Sequence, residues 1–197
     1  MNKSYKMNFA RRPYIGKGRR KQKGELSLVE AAGVMAAAAL IALVVYMGRG
    51  YVMDRIHAMQ FKSEAQYFVS GIQDATAGEI DFSSVTMLSL TQNRAFDTAG
   101  RRLNKTTGAL TGIFGGAVTA APATVTATND AIAVTYPIPA TVCALSADSI
   151  SEAYTQVKVN NTTISGPSTS FNSGTAAAAC ASAGATASVI MYATKGN

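Results

Sequence analysis

The chain has 197 residues, a formal charge of +7, two cysteines, one histidine and no tryptophan. Nine of its eighteen cations and none of its eleven acids lie in residues 1–24, so the rest carries nine cations against eleven acids. The basicity belongs to a short N-terminal arm; this excludes a basic nucleic-acid-binding domain and reads as a cytoplasmic flank that sets membrane orientation, with no nucleic acid as partner. His57 has no second His or Cys at metal-ligand spacing, and the chain lacks a phosphate loop and a nucleophile elbow, so it is read as a non-enzyme without metal or cofactor.

After the basic leader comes Gly24-Glu25-Leu26-Ser27-Leu28-Val29-Glu30, then an uncharged run of eighteen residues from Ala31 to Gly48. As a helix this run is about 27 Å long, close to a hydrocarbon core of about 30 Å. A removable secretory signal shares the charged-then-apolar order, but its apolar part is shorter, and Arg49-Gly50-Tyr51-Val52 offers no small-residue cleavage site. The apolar helix is therefore expected to stay, and a plain single-span anchor satisfies the same hydropathy. Glu30 stands at the mouth of this run, where a carboxylate moved toward the bilayer centre costs up to about 3 kcal/mol; ionisable groups in such places are functional by default.

The helical pattern continues without proline to about Ala77. Residues 25–50 are apolar all round; residues 51–77 are amphipathic, with Val52, Ile56, Met59, Phe61, Ala65, Phe68 and Ile72 on the expected buried face and Asp54, Arg55, Lys62, Glu64 and Asp74 on the others. Gly48 and Gly50 sit at the junction, each unfavourable by about 1 kcal/mol relative to Ala in a helix. Gly78 is placed to cap the helix end.

Residues 78–122 read as a mixed connection whose cations Arg94, Arg101, Arg102 and Lys105 are taken as solvated loop charges. Residues 123–197 carry the strand signals. Val125–Thr128 and Ile132–Tyr136 are expected to pair as a hairpin about Asn129-Asp130, with Pro137 and Pro139 stopping the second strand. A short helix over residues 140–154, a strand at Gln156–Asn160, a turn at Asn160-Asn161 and a final strand at Ser188–Ala193 follow. Cys143 and Cys180, both on the presumed outside, are most simply one disulfide in an oxidising compartment. Asn104-Lys105-Thr106 and Asn161-Thr162-Thr163 match the glycosylation sequon, a motif frequent by chance.

The leader ending in Lys23-Gly24, the Leu26-Ser27-Leu28-Val29-Glu30 box and the Ala/Leu/Val/Met-rich helix resemble the processing site and first helix of type IV prepilins, the type IVb branch in particular. A second resemblance to type IVb pilins lies in the C-terminal part: a Cys opening a short helix, a Val-x-Val-Asn strand, a Ser/Gly/Thr-rich loop, then Ala176–Cys180 and an apolar last strand.

The resemblance implies an α+β pilin fold, a long helix packed on an antiparallel sheet with a disulfide-bounded region. It further implies cleavage between Gly24 and Glu25 by prepilin peptidase with methylation of the new amine, and a residence in the bacterial inner membrane, in contact with lipid and the assembly machinery, before polymerisation with identical subunits into a helical surface filament. Glu30 would then attract the neighbouring subunit's terminal amine, and Gly48 and Gly50 would be where the helix loosens in the filament. The offset departs from the family: after cleavage at Gly24, Glu30 is the sixth residue, whereas pilins place this Glu fifth. A minor pilin or secretion-system pseudopilin carries the same N-terminus, and a single-span surface protein would keep its leader.

Overall fold

A computed structural model describes residues 28–195; Gly24, Glu25 and the leader lie outside the described residues. The chain divides into two compact units, residues 1–44 and 45–197, and helix α1, Leu28–Ala75, passes from the first into the second. In the first unit the described part is a stretch of this helix. Its length follows from composition, since no proline interrupts it and alanine is the commonest residue in its first turns.

The second unit is α+β. After α1 come α2 (Met87–Gln92), a 3-10 segment (Asp97–Arg102), β1 (Leu110–Thr111), β2 (Ala117–Ala123), β3 (Ala131–Pro139), α3 (Ala140–Ile150), β4 (Gln156–Val159), β5 (Thr162–Ser165), α4 (Ser173–Ala181) and β6 (Thr186–Thr194). The strands form one six-stranded sheet in the order β1-β2-β3-β6-β4-β5, antiparallel throughout. The last strand is central: β6 pairs with β3 from Ala131↔Thr194 to Pro139↔Thr186 and with β4 along its other edge. Phe61, Phe68 and Ile72 of α1 are buried with Val134, Tyr136 and Ile138 of β3, Val157 and Val159 of β4 and Val189 and Met191 of β6.

Several expectations change. α1 ends at Ala75, where both the amide and the hydroxyl of Thr76 bond the Ile72 carbonyl, at 3.0 and 2.7 Å, and the chain turns. Gly78 is not among the positive-φ glycines, so it does not form the expected left-handed cap. The first strand of the hairpin is Ala117–Ala123, not Val125–Thr128. Those β-branched residues lie in the connection because the Asp130 carboxylate gathers the amides of Val125, Thr126 and Ala127 at 2.7, 2.8 and 2.7 Å, donors that a strand would spend on its ladder.

Pro137 and Pro139 do not stop β3. The β2–β3 pairing ends at Thr119↔Thr135, so beyond it β3 has only β6 as a strand partner, and a residue without an N–H is tolerated on the unpaired side. Pro122 meets the same condition on β2, past the short pairing with β1. Asn160 and Asn161, with φ of 47° and 72°, make the expected turn, and it closes a β4–β5 hairpin whose second strand the sequence reading did not assign.

Candidate functional site

In the first unit, Glu30 lies in the first turn of α1 and is solvent-exposed, and residues 31–44 are uncharged, with Val34, Met35, Leu40, Ile41, Leu43 and Val44 all more than half exposed. Among the described residues this is the one helix long and apolar enough to cross a membrane.

In the second unit, Gly48 and Gly50 are helical, and a Cβ added at either meets nothing within 4 Å. Packing does not require glycine at these positions. The buried face of α1 begins with His57 and Ala58 and continues through Phe61, Ala65, Phe68 and Ile72; Val52, Ile56 and Met59, expected on the same face, are 55, 42 and 65% exposed. The reason is a two-residue step from Met59 to Phe61, which turns the helix by about 200°. The chain therefore carries two apolar stripes, one packed on the sheet and one facing outward. His57 is half-buried, its ring edge-on to Phe114 at 5.9 Å between centroids, a packing role.

Glu64, expected on a solvated face, is 8% exposed and is the centre of a polar cluster. Its carboxylate accepts both terminal guanidinium nitrogens of Arg102 and, at 2.9 Å, the hydroxyl of buried Tyr136. Arg102 also donates to the Thr111 carbonyl at 2.8 Å, and the Tyr136 oxygen accepts the Ile113 amide at 2.6 Å. One cluster thus ties α1, the 3-10 segment, β1, the turn after it and β3.

The hydrogen bond to Glu64 raises the Arg102 guanidinium further above its ordinary value, against the effect of burial. Burial pushes the Tyr136 phenol up, and the Glu64 charge adds to this against the Ile113 amide. Tyr154 is pushed up by burial and by the same carboxylate, and its hydroxyl bonds the Ala65 carbonyl of α1 at 2.7 Å. Arg102 is therefore no free loop charge; Arg94 and Lys105 lie near Asp97 at 4.0 and 2.7 Å on the exposed surface.

Gly71, Gly112 and Gly116 mark close approaches. A Cβ on Gly71 would overlap the Ala95 carbonyl, and one on Gly112 the Tyr136 ring. Cys143 of α3 and Cys180 of α4 form the expected disulfide, with Cα atoms 5.8 Å apart and both residues buried. The sequence reading missed Glu64, Arg102 and Tyr136. The available signal was the i+3 step from Phe61 to Glu64, which sets an acid beside the buried stripe and calls for a cation from elsewhere.

Residues 57–194, more than half of the chain, match the family described as PilS N terminal. No curated protein sequence matches the chain. Among solved structures the chain is similar to TcpA, a type IV pilin from the Vibrio cholerae El Tor biotype, at 15% identity and a TM-score of 0.43, over 68% of this chain and 98% of that one. The chain belongs to the PilS N-terminal family and is a type IV pilin.

Proposed function

We propose that this pilin is the structural subunit of a type IVb pilus, held in the inner membrane by residues 31–48 until it polymerises with identical copies into a helical surface filament used for adhesion, aggregation or conjugative contact. The observation that carries this reading is the exposed, uncharged surface of α1 behind Glu30. Lipid and the core of a filament present that surface with the same apolar surroundings, so a helix can pass from one to the other without meeting water. Copies related by a head-to-tail contact that does not close generate an open helical polymer.

In this reading prepilin peptidase cuts between Gly24 and Glu25. Glu30, at the edge of the apolar run, accepts the neighbouring subunit's terminal amine, an attraction strengthened where water is excluded. Its sixth position makes Glu25 a competing carboxylate near the same amine. Gly48 and Gly50 are where the helix loosens, consistent with their lack of packing neighbours.

N-terminal peptide mass spectrometry on the chain recovered from sheared surface filaments tests this. A mature form starting at N-methylated Glu25, abundant in those filaments, is the expected result. An uncleaved chain confined to the membrane overturns the reading in favour of a single-span anchor, and a processed chain scarce in filaments in favour of a minor pilin.

A further inference from the structure

We propose that a cavity beside the Glu64–Arg102 pair, walled by α1 on one side and by the 3-10 segment and the turn after β1 on the other, binds a single neutral sugar ring. The proposal goes beyond the filament reading and does not depend on it, since every residue involved lies in the second unit. The cavity has a volume of about 320 Å³ and is lined by Gln60, Ser63, Glu64 and Tyr67 of α1 and by Thr98 and Ile113. The four residues of α1 follow one another at steps of three, one and three, the spacing of a single helical face. The volume stands at the small end of the range of about 300–1,000 Å³ for ligand sites, which suits one ring and not a chain of them.

The ligand class follows from what the lining offers. Glu64 is 8% exposed and fixed in place: its Oε1 accepts Arg102 and the Tyr136 hydroxyl, while its Oε2 accepts Arg102. A carboxylate oxygen has two lone-pair sites, so Oε2 keeps room for one more donor. Arg102 already balances the Glu64 charge, and the cavity has no net charge with which to select an ion. The Gln60 amide and the hydroxyls of Ser63, Tyr67 and Thr98 make no hydrogen bond among the described residues. Beside these donors and acceptors lie the half-buried Ile113 side chain and the Tyr67 ring, which is 59% exposed. A sugar ring matches both surfaces, with hydroxyls around its edge and C–H groups on its faces; a purely apolar ligand would desolvate the hydroxyls without pairing them. Arg102 on the Thr111 carbonyl and the Ile113 amide on Tyr136 tie the two walls together, so the cavity is formed before any ligand arrives.

Saturation-transfer NMR on the full chain, solubilised in a detergent without a sugar headgroup, tests this with the methyl glycosides of glucose, galactose, mannose and N-acetylglucosamine as probes. At least one is expected to bind with a millimolar dissociation constant, and cyclohexanol, a ring of similar size with a single hydroxyl, is expected not to bind. Tyr67→Ala and Thr98→Val, both at exposed positions, are expected to weaken binding about tenfold or more with the disulfide and the melting temperature unchanged. Ser70→Ala, on α1 outside the cavity, should bind as the wild type does. No response from any of the four glycosides overturns the site. Cyclohexanol binding as well as the best glycoside overturns the sugar class, and wild-type binding by both Tyr67→Ala and Thr98→Val overturns the location. All of these are read on the solubilised subunit, so a failure here leaves the filament reading intact, and a chain never recovered in filaments leaves the sugar site standing.

Discussion

Arg102 donates both terminal guanidinium nitrogens to the Glu64 carboxylate across thirty-eight residues of sequence. The pair is asymmetric: the Glu64 side chain is 8% exposed and that of Arg102 is 30% exposed. Removing the cation strands a buried charge, whereas removing the acid's charge leaves a guanidinium that can turn toward water. We expect Arg102→Met to destabilise the domain by about 2–3 kcal/mol, below the ~3–5 kcal/mol of a fully buried pair. Glu64→Gln, which keeps an acceptor for the Tyr136 hydroxyl, should cost less. Urea unfolding of the detergent-solubilised chain measures both, and equal losses would refute the asymmetry.

Gly71 is half-exposed on α1, yet its Cα faces the backbone carbonyl of Ala95, which cannot swing away as a side-chain tip can. Alanine there gains about 1 kcal/mol of helix propensity and loses about 1–3 kcal/mol to overpacking. Gly71→Ala is therefore expected to be destabilising on balance, while Gly48→Ala, with no atom within 4 Å of the added carbon, should stabilise the isolated subunit. Thermal unfolding of the two variants under identical conditions reads the opposite signs.

The contrast between these glycines shows what the sequence could reveal. The apolar run, the cysteine pair, α3, β4 and β6 were legible because each rests on a local pattern: hydropathy, spacing or alternation. Glu64 was not, because its burial depends on Arg102 arriving from a connection with no periodicity. Nor was β2, whose Ala-rich Ala117–Ala123 has weak strand propensity and is held by the register with β3, while the better strand former, Val125–Thr128, is drawn into a turn by Asp130. The outward stripe was hidden in plain view, since stripes on opposite faces share the same three- and four-residue steps and only the two-residue step from Met59 to Phe61 separates them.

The disulfide closes a sequence separation of 37 residues that contains most of α3, β4, β5 and α4. On the chain-entropy estimate this constraint stabilises the fold by about 4 kcal/mol. Replacing both Cys143 and Cys180 by alanine should lose about that amount, and hydrogen exchange should accelerate first in α3 and α4 rather than in the β3–β6 pair. Uniform acceleration across the sheet would mean that the bridge supports the whole core and not this excursion.

Asp130 gives the connection between β2 and β3 a pH dependence whose direction can be derived. Burial works against its charge, but the Thr126 hydroxyl and the amides of Val125, Ala127 and Thr126 outweigh it and hold the carboxyl well below the usual carboxylate range. A carboxyl depressed in the folded state contributes stability that is fully present above its unfolded value, about 3.9, and is lost as pH falls through the folded one. Asparagine at this position keeps one acceptor oxygen but not the charge. The wild-type advantage over Asp130→Asn should therefore be constant from pH 7 to about 5, begin to shrink near pH 4 and continue to shrink below it. Melting temperatures of both proteins at pH 7, 4 and 2 measure the difference. An advantage unchanged down to pH 2 would show that neutral hydrogen bonds suffice to hold the turn and that the carboxylate charge contributes nothing to it.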